Sequence, residues 1–444
     1  MTLKDYENAY LKHIKANEKR TILDAQNIKN YLKTTGVGSI KGDLCFQLIP
    51  KIFDKAAFNI IENAASMMYK ILEKCIYEYQ QNENFRKLFG FDKELEELVL
   101  SDTGYACQLP IARIDMFFDE DSFGFKFFEF NADGASAMIE DREIGNALKM
   151  TKAYKDFEFK TKSFELFDCW VDTILNIYGD FKKGDFDKNS ITVGIVDFLD
   201  KATMGEFVAF KKAFLDRGIN CVIADIRELK YENEVLYDKE KNKIDLVYRR
   251  AVTSDCMERI DEISEFLAAY KNKAVCTVGG FKTQVIHNKI LFSILHNENI
   301  KSIFSDEEHE FIKKHIPFST ELKLDKHFDT AKNNKDLFII KPNDLYASVG
   351  VYAGLDYSQN DWKALLNKNA GTGYILQKYC APFKTANCYE KNGAVYYGEY
   401  GNTTGLYLYA GKLMGLYSRQ MQRATTTTQD EGRVACSWLI KNEV

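Results

Sequence analysis

The sequence predicts a mixed fold of the α+β / α/β class, and three features of its apolar pattern predict it. Apolar residues recur at helical spacing through most of the first hundred positions, as in "AAFNIIENAASMMYKILEKCIYEY". From Leu109 the period drops to two, through "LPIARIDMFF" and "FKFFEFNAD", as in strands with one buried face. Between about 191 and 280, short apolar strands alternate with helical stretches, which predicts a small parallel sheet.

In chain order, the period-two region is followed by helical text, through "NALKMTKAYKDFEF" and "FELFDCWVDTILNIY". "GDFKKGDFDKNS" is polar and turn-rich and marks a lobe boundary. "ITVGIVDF", "NCVIADI", "KIDLVYRRAV" and "KAVCTVGG" read as strands, and "EFVAFKKAFLDRG" as a helix stopped by its glycine. After Phe281 a helix, "TQVIHNKILFSILHN", leads into "DLFIIKPND", "GYILQKYC", "AVYYGEY" and "LYLYAGKLMGLYSRQ", which look like antiparallel strands. The expected division is therefore 1–190, helices plus a hairpin; 191–280, a parallel α/β unit; and 281–444, a mixed C-terminal part.

The chain's 444 residues exceed one ordinary core and favour two or three lobes. Composition is that of a globular protein, with 45% hydrophobic and 28% charged residues. A net charge of −5 offers no footprint for nucleic acid or for an anionic membrane surface. No long uncharged apolar span and no leader pattern occurs, so a cytoplasmic location is expected. The ten cysteines include no C-x-x-C pair and are expected to be reduced thiols. The one low-complexity stretch is "TTTT" at 425–428.

The chemistry starts at "ARIDM" and "FFEFN". Alternation puts Ile114 and Met116 on one face and Arg113 and Asp115 on the other; likewise Phe128 and Phe130 oppose Glu129 and Asn131. Joined by the turn "DEDSFG", the two segments make a hairpin. If partner numbers sum to 244, Asp115 lies across from Glu129 and Arg113 from Asn131. Two facing carboxylates repel unless something positive lies between them. Oxygen donors of this kind suit Mg²⁺, which takes one or two carboxylates and fills its other positions with water and phosphate. The alternative is a solvated face on which Arg113 neutralises Asp115.

A metal–phosphate site also needs cations and a cradle. In "LFIIKPNDLYASVGV", a buried strand ends in Lys341, and the following loop holds Ser348 and Gly350. Such a lysine can reach back over a phosphate while loop N–H groups cover it. Lys289, read on the helix "HNKILFSIL", is a second cation. "YILQKYC" reads as a strand whose backbone edge could pair with an adenine, with Gln377 and Lys378 beside it.

Other motifs carry less. "GVGSIKG" at 36–42 has the wrong spacing for a dinucleotide fingerprint. Asp225 reads as a cap or turn, and His309 and His315 lie on a charged helix without zinc spacing. Tyr248-Arg249-Arg250 could clamp a carboxylate or simply form salt bridges.

The block "RIDMFFDEDSFGFKFFEFNADGAS" resembles the metal-binding hairpin of the glutathionylspermidine synthase family, which carries Arg-x-Asp and then Glu-x-Asn-Ala-Asp before small hydroxyl residues. That family has a circularly permuted ATP-grasp fold, with metal ligands ahead of the nucleotide lysines, and the same order occurs here. "HNKIL", "IIKP", "ILQKY" and "AGKLMGLYSRQ" fall in matching order, so the resemblance spans roughly Leu48 to Arg433. Only the synthetase part is matched. The 191–280 unit corresponds to a pre-ATP-grasp unit. Two departures stand out: the loop after Lys-Pro, "NDLYASVG", is poorer in glycine and charge, and Gly134 replaces a common hydroxyl residue.

The resemblance implies that Asp115, Glu129 and Asn131 hold Mg²⁺. Arg113 would contact the substrate or its forming phosphate, with Ser136 on the substrate carboxylate side. Lys289, Lys341 and Gln377 would bind ATP, and Arg419 would lie near the transferred phosphate. The implied activity is carboxylate–amine ligation through an acyl phosphate, releasing ADP and phosphate, on a glutathione-like or peptide-like acid and an amine. The Lys341 loop is the expected lid. Two other readings use the same residues: a non-catalytic nucleotide- or peptide-binding protein on this scaffold, and a phosphotransferase that stops at a phosphorylated product.

Overall fold

The period-two segments pair as a hairpin, Ile111–Phe118 against Phe125–Asn131, with Arg113 across from Asn131 and Asp115 across from Glu129. The computed structural model describes residues 3–37, 44–132, 134–157, 161–202, 204–345, 348–424 and 432–440. Most of "GVGSIKG", all of "TTTT" and Asp133 of the hairpin motif lie outside the described residues.

The hairpin is the edge of a large antiparallel sheet. In order, this sheet runs Arg433–Ala435, Lys412–Met421, Ala394–Tyr409, Ile111–Phe118, Phe125–Asn131, with Lys384–Lys391 also paired to the long strand. Chain segments from the first and last thirds of the sequence thus share one sheet. One face packs on the helix Lys55–Gln81: Ile114, Met116, Phe127 and Phe130 share a core with Ile61, Ala65 and Leu72. That helix is helical because its apolar residues recur at 3–4 spacing, and Asp54 caps it by accepting from the Ala57 N–H.

The 191–280 stretch forms the expected parallel sheet, in the order Cys276–Val278, Leu246–Arg249, Thr192–Asp197, Asn220–Asp225. A third, antiparallel sheet orders Ser319–Glu321, Tyr374–Lys378, Phe338–Pro342, Tyr352–Ala353. Its apolar face packs on the helices Lys326–Asn333 and Gln359–Asn369 around the buried Trp362.

Three readings of local secondary structure differ from what is observed. Phe128 does not share the core face with Phe130. A bulge between Asp115 and Met116 makes Phe127 the partner of Met116, so Phe127 and Phe130 take the core and Phe128 turns to the polar face. The adjacent pair Phe127-Phe128 breaks strict alternation, which is the mark a bulge leaves in a sequence. Second, the helix expected after Phe281 is three short pieces, Phe281–Thr283, Gln284–His287 and Ile290–Ile294. Asn288 is extended, its side chain accepts from the Ile290 N–H, and the Lys289 N–H donates to the Asn343 carbonyl at 2.7 Å. Lys289 therefore sits at a helix break rather than on a helix. Third, "NALKMTKAYKDFEF" splits into Met138–Lys149 and Lys152–Phe157, where Thr151 bonds back to the Leu148 carbonyl.

All ten cysteines are free thiols. No helix among the described residues is long and apolar enough to cross a membrane.

Candidate functional site

The polar face of the large sheet is built from its pairing register. Gly405 lies across from Asp115 and Tyr407 from Arg113, while Arg419 pairs with Thr403 one strand further on. Arg113 grips Asp115 with two bonds, Nε to Oδ1 at 2.8 Å and Nη2 to Oδ2 at 3.1 Å. Arg419 Nη2 adds a third at 3.3 Å to Oδ2. Gly405 is required by this arrangement: a Cβ there would lie 2.9 Å from both Arg113 Cδ and Asp115 Oδ1.

Arg113 also donates to the Ser136 carbonyl at 3.0 Å, and the Tyr407 hydroxyl donates to the same oxygen at 2.6 Å. Arg250 donates to the neighbouring Ala135 carbonyl and pairs with Glu206 at 2.8 Å, while Glu206 accepts from the Met138 N–H at 2.8 Å. The loop after the hairpin is thus fixed from two sheets. Gly134, at φ +62, has no room for a side chain, because its Cβ would fall 2.7 Å from Val252 Cγ1 and 3.0 Å from the Arg250 carbonyl. That crowding accounts for glycine where a hydroxyl residue was expected. It also answers the question over Arg249 and Arg250. Arg250 is a buried ion-pair partner, and Arg249 donates to the Gly279 and Ala251 carbonyls and stacks over Phe281. Asp225 caps the Arg227 N–H, and His315 stacks on Phe125, so neither belongs to the site.

Glu129 joins this face to a cleft. The cleft is lined by Phe117, Phe128, Glu129, Lys289, Ile339, Lys341, Ser348, Val351, Gln377, Lys378, Tyr379 and Cys380, among others. It lies between the hairpin and the third sheet. Lys341 Nζ donates to the Phe128 carbonyl at 2.9 Å and to Gln377 Oε1 at 2.8 Å; Gln377 in turn donates to Ser319 Oγ at 2.9 Å. Lys289 Nζ lies 3.5 Å from Glu129 Oε1 and donates to the Leu345 carbonyl at 2.8 Å. Phe117 and Phe128 stack with centroids 4.2 Å apart and form an apolar wall.

Burial would raise the Glu129 carboxyl, but Lys289, Lys341, Arg113 and Arg419 outweigh it and hold it down at about 2. Burial lowers Lys341 to about 8, with Glu129 opposing and Lys289 adding to the fall. Two carboxylates, Asp115 and Glu129, thus sit among four cations, Arg113, Lys289, Lys341 and Arg419. The surplus is positive and suits a polyanion.

The structure brings together Arg113, Asp115, Glu129, Lys289, Lys341, Gln377 and Arg419, and lines the cleft with Ser348 and Lys378. Gly350 does not line it; at φ +74 it serves the turn, where a Cβ would approach the Tyr374 hydroxyl to 2.8 Å. Ser136 takes part through its carbonyl. The free strand edge expected in "YILQKYC" is absent over Tyr374–Lys378, because that strand lies between two others and its backbone is paired on both sides. The Tyr379 N–H, just beyond the strand, goes to the Leu337 carbonyl.

The oxygen donors of Asp115, Glu129 and Asn131 suit Mg²⁺. The Asn131 amide nitrogen is buried without a hydrogen-bond partner, so the protein alone does not satisfy that side chain. Both Asp115 oxygens already accept from arginines. The Glu129 carboxylate and the Asn131 amide oxygen are donors of the kind such a cation takes, whereas the orphaned Asn131 N–H calls for an acceptor. Among the described residues no cluster of three His, Cys, Asp or Glu side chains could hold a metal.

No family profile matches the chain, and no curated protein matches it in sequence. Solved structures do match in shape. A glutathione synthetase-like effector from Globodera pallida, in its apo form, superposes with a TM-score of 0.56 over 94% of this chain and 97% of its own, at 13% identity. A D-alanyl-alanine synthetase A from Vibrio cholerae gives a TM-score of 0.27 at 9% identity, over 58% of this chain and 76% of its own. An ATP-grasp ligase complexed with a minimal precursor, Mg and ADP gives 0.23 at 10% identity, over 58% and 90%. The first likeness extends along nearly the whole of both chains and shows the fold, a mixed α/β architecture shared with that effector.

Proposed function

We propose that this protein is an ATP-dependent carboxylate–amine ligase that forms an amide through an acyl phosphate. The observation that carries the reading is the convergence of four cations around Asp115 and Glu129 at the junction of the cleft and the sheet face. Phosphoryl transfer requires positioning and charge neutralisation more than a protein nucleophile. Lys341 and Lys289 would bind the nucleotide phosphates, Gln377 would fix the Lys341 ammonium, and the Phe117–Phe128 wall would cover an apolar surface of the nucleotide. Mg²⁺, held by Glu129 and Asn131 with Asp115, would supply charge neutralisation at the phosphate oxygens. Arg113 and Arg419, poised on Asp115, would exchange that carboxylate for the anion that forms during transfer.

Within this class, the Arg-x-Asp and Glu-x-Asn hairpin favours a glutathionylspermidine synthase-like reaction on a peptide-like acid and an amine. The proposed location is cytoplasmic, in keeping with ten free thiols. The test is product analysis with Mg-ATP, acids including glutathione, and amines including spermidine, alongside Glu129→Ala. Amide and ADP that require both substrates, and that are lost in the variant, support the ligase. Tight ATP binding with no turnover across the panel refutes it in favour of a binding scaffold. A stable phosphorylated acceptor without amide selects the phosphotransferase.

A further inference from the structure

An amine dissolved at neutral pH is mostly an ammonium ion, and it must lose a proton before its nitrogen can attack an acyl carbon. Of the residues assigned above, Asp115 and Glu129 are engaged by cations, and Lys341, at about 8, is itself mostly protonated at neutral pH. Among the described residues, a further carboxylate reaches the same face. Glu140, in the first turn of the helix Met138–Lys149, accepts from the Tyr417 hydroxyl through Oε2 at 2.6 Å. The Tyr417 ring is flanked by the Arg113 and Arg419 guanidiniums, each 5.7 Å from its centroid.

Resting on the ligase reading, we propose that Glu140 receives the amine: its carboxylate binds the incoming ammonium beside Arg419 and accepts the proton that frees the nitrogen. The free amine then attacks the acyl carbon of the acyl phosphate. The C–N bond forms as the C–O bond to phosphorus breaks, the oxygen keeps the electron pair, and the departing phosphate carries away the second nitrogen proton. The substrate class is an amine that arrives as a cation.

The groups around Glu140 suit this role. Arg419 and Tyr417 face it from Lys412–Met421, Arg113 from the hairpin, Tyr407 from the long strand, Glu206 from the helix Met204–Asp216, and Asp141 from its own helix. Burial raises its carboxyl, Tyr417, Arg419 and Arg113 oppose that, and Glu206 adds to the rise. Glu206 is itself occupied by Arg250 and the Met138 N–H, and Asp141 by the Ser437 N–H; among these described carboxylates Glu140, held by the Tyr417 hydroxyl at one oxygen, is the one left to a ligand.

The test compares Glu140→Gln with wild type in two assays, amide formation with an alkyl amine and hydroxamate formation with hydroxylamine, which needs no deprotonation at neutral pH. Loss of the alkyl amide by about 10²–10⁴-fold, with hydroxamate and the KM for the acid little changed, is expected. Glu140→Asp, which keeps a carboxylate, is expected to restore part of the alkyl-amine rate and guards against a folding defect. Equal loss of both products, or of neither, overturns the assignment. Wild-type protein that forms neither product from any acid overturns the ligase reading and this assignment with it.

Discussion

Lys341 ties the site together at the scale of single residues. A lysine is cationic below its pKa, and burial brings this one down to about 8. Its charge is therefore present at neutral pH and lost as pH rises through about 8. Calorimetric ATP affinity of the free protein is expected to fall over that range, and Lys341→Met to bind weakly at every pH. Glu129 helps hold the Lys341 proton, so Glu129→Gln is expected to shift the decline to lower pH. An unshifted alkaline limb in that variant would refute the coupling. At this scale the sequence was informative: Arg113, Asp115, Glu129 and Asn131 were legible because period two fixes which residues share a strand face. Phe117, Tyr417 and Glu140 were not singled out, because an aromatic in a strand or an acid in a first helical turn has an ordinary structural explanation.

Single elements show where local rules stop. The hairpin register followed from alternation, and the bulge that turns Phe128 into the cleft was written in the adjacent phenylalanines. The break at Asn288 was less legible, because it depends on a bond from the Lys289 N–H to Asn343, fifty-odd residues on. The occupied edges of Tyr374–Lys378 were hidden for the same reason, since strand order within a sheet is set by tertiary packing. The close packing of Gly405 under Arg113 and Asp115 yields an element-scale prediction. Gly405→Ala is expected to displace that pair, lowering kcat/KM at least about tenfold for a stability cost near the lower end of the roughly 1–3 kcal/mol typical of overpacking. Paired activity and thermal-melt measurements check this; a large loss of stability with unchanged specific activity would contradict it.

For the whole molecule, the cleft lies between sheets built from distant parts of the chain, so nucleotide binding should stabilise both. Mg-ATP at a hundredfold excess over Kd is expected to add about 2.7 kcal/mol to stability and to raise the melting temperature. Lys341→Met should lose that shift. The net charge of −5 masks the local positive surplus, which is why composition gave no hint of a phosphate site. The fold itself was legible as a mixed α/β class from periodicity, whereas the ATP-grasp arrangement was implied only by the resemblance of the hairpin motif.

At the centre of the account, ATP activates a carboxylate as its acyl phosphate, a mixed anhydride. The most direct measurement follows heavy oxygen from a labelled carboxylate in a turning-over mixture of acid, amine and Mg-ATP. Label in the released phosphate, with ADP as the nucleotide product, is the predicted result. Unlabelled phosphate, or release of AMP, would contradict the account.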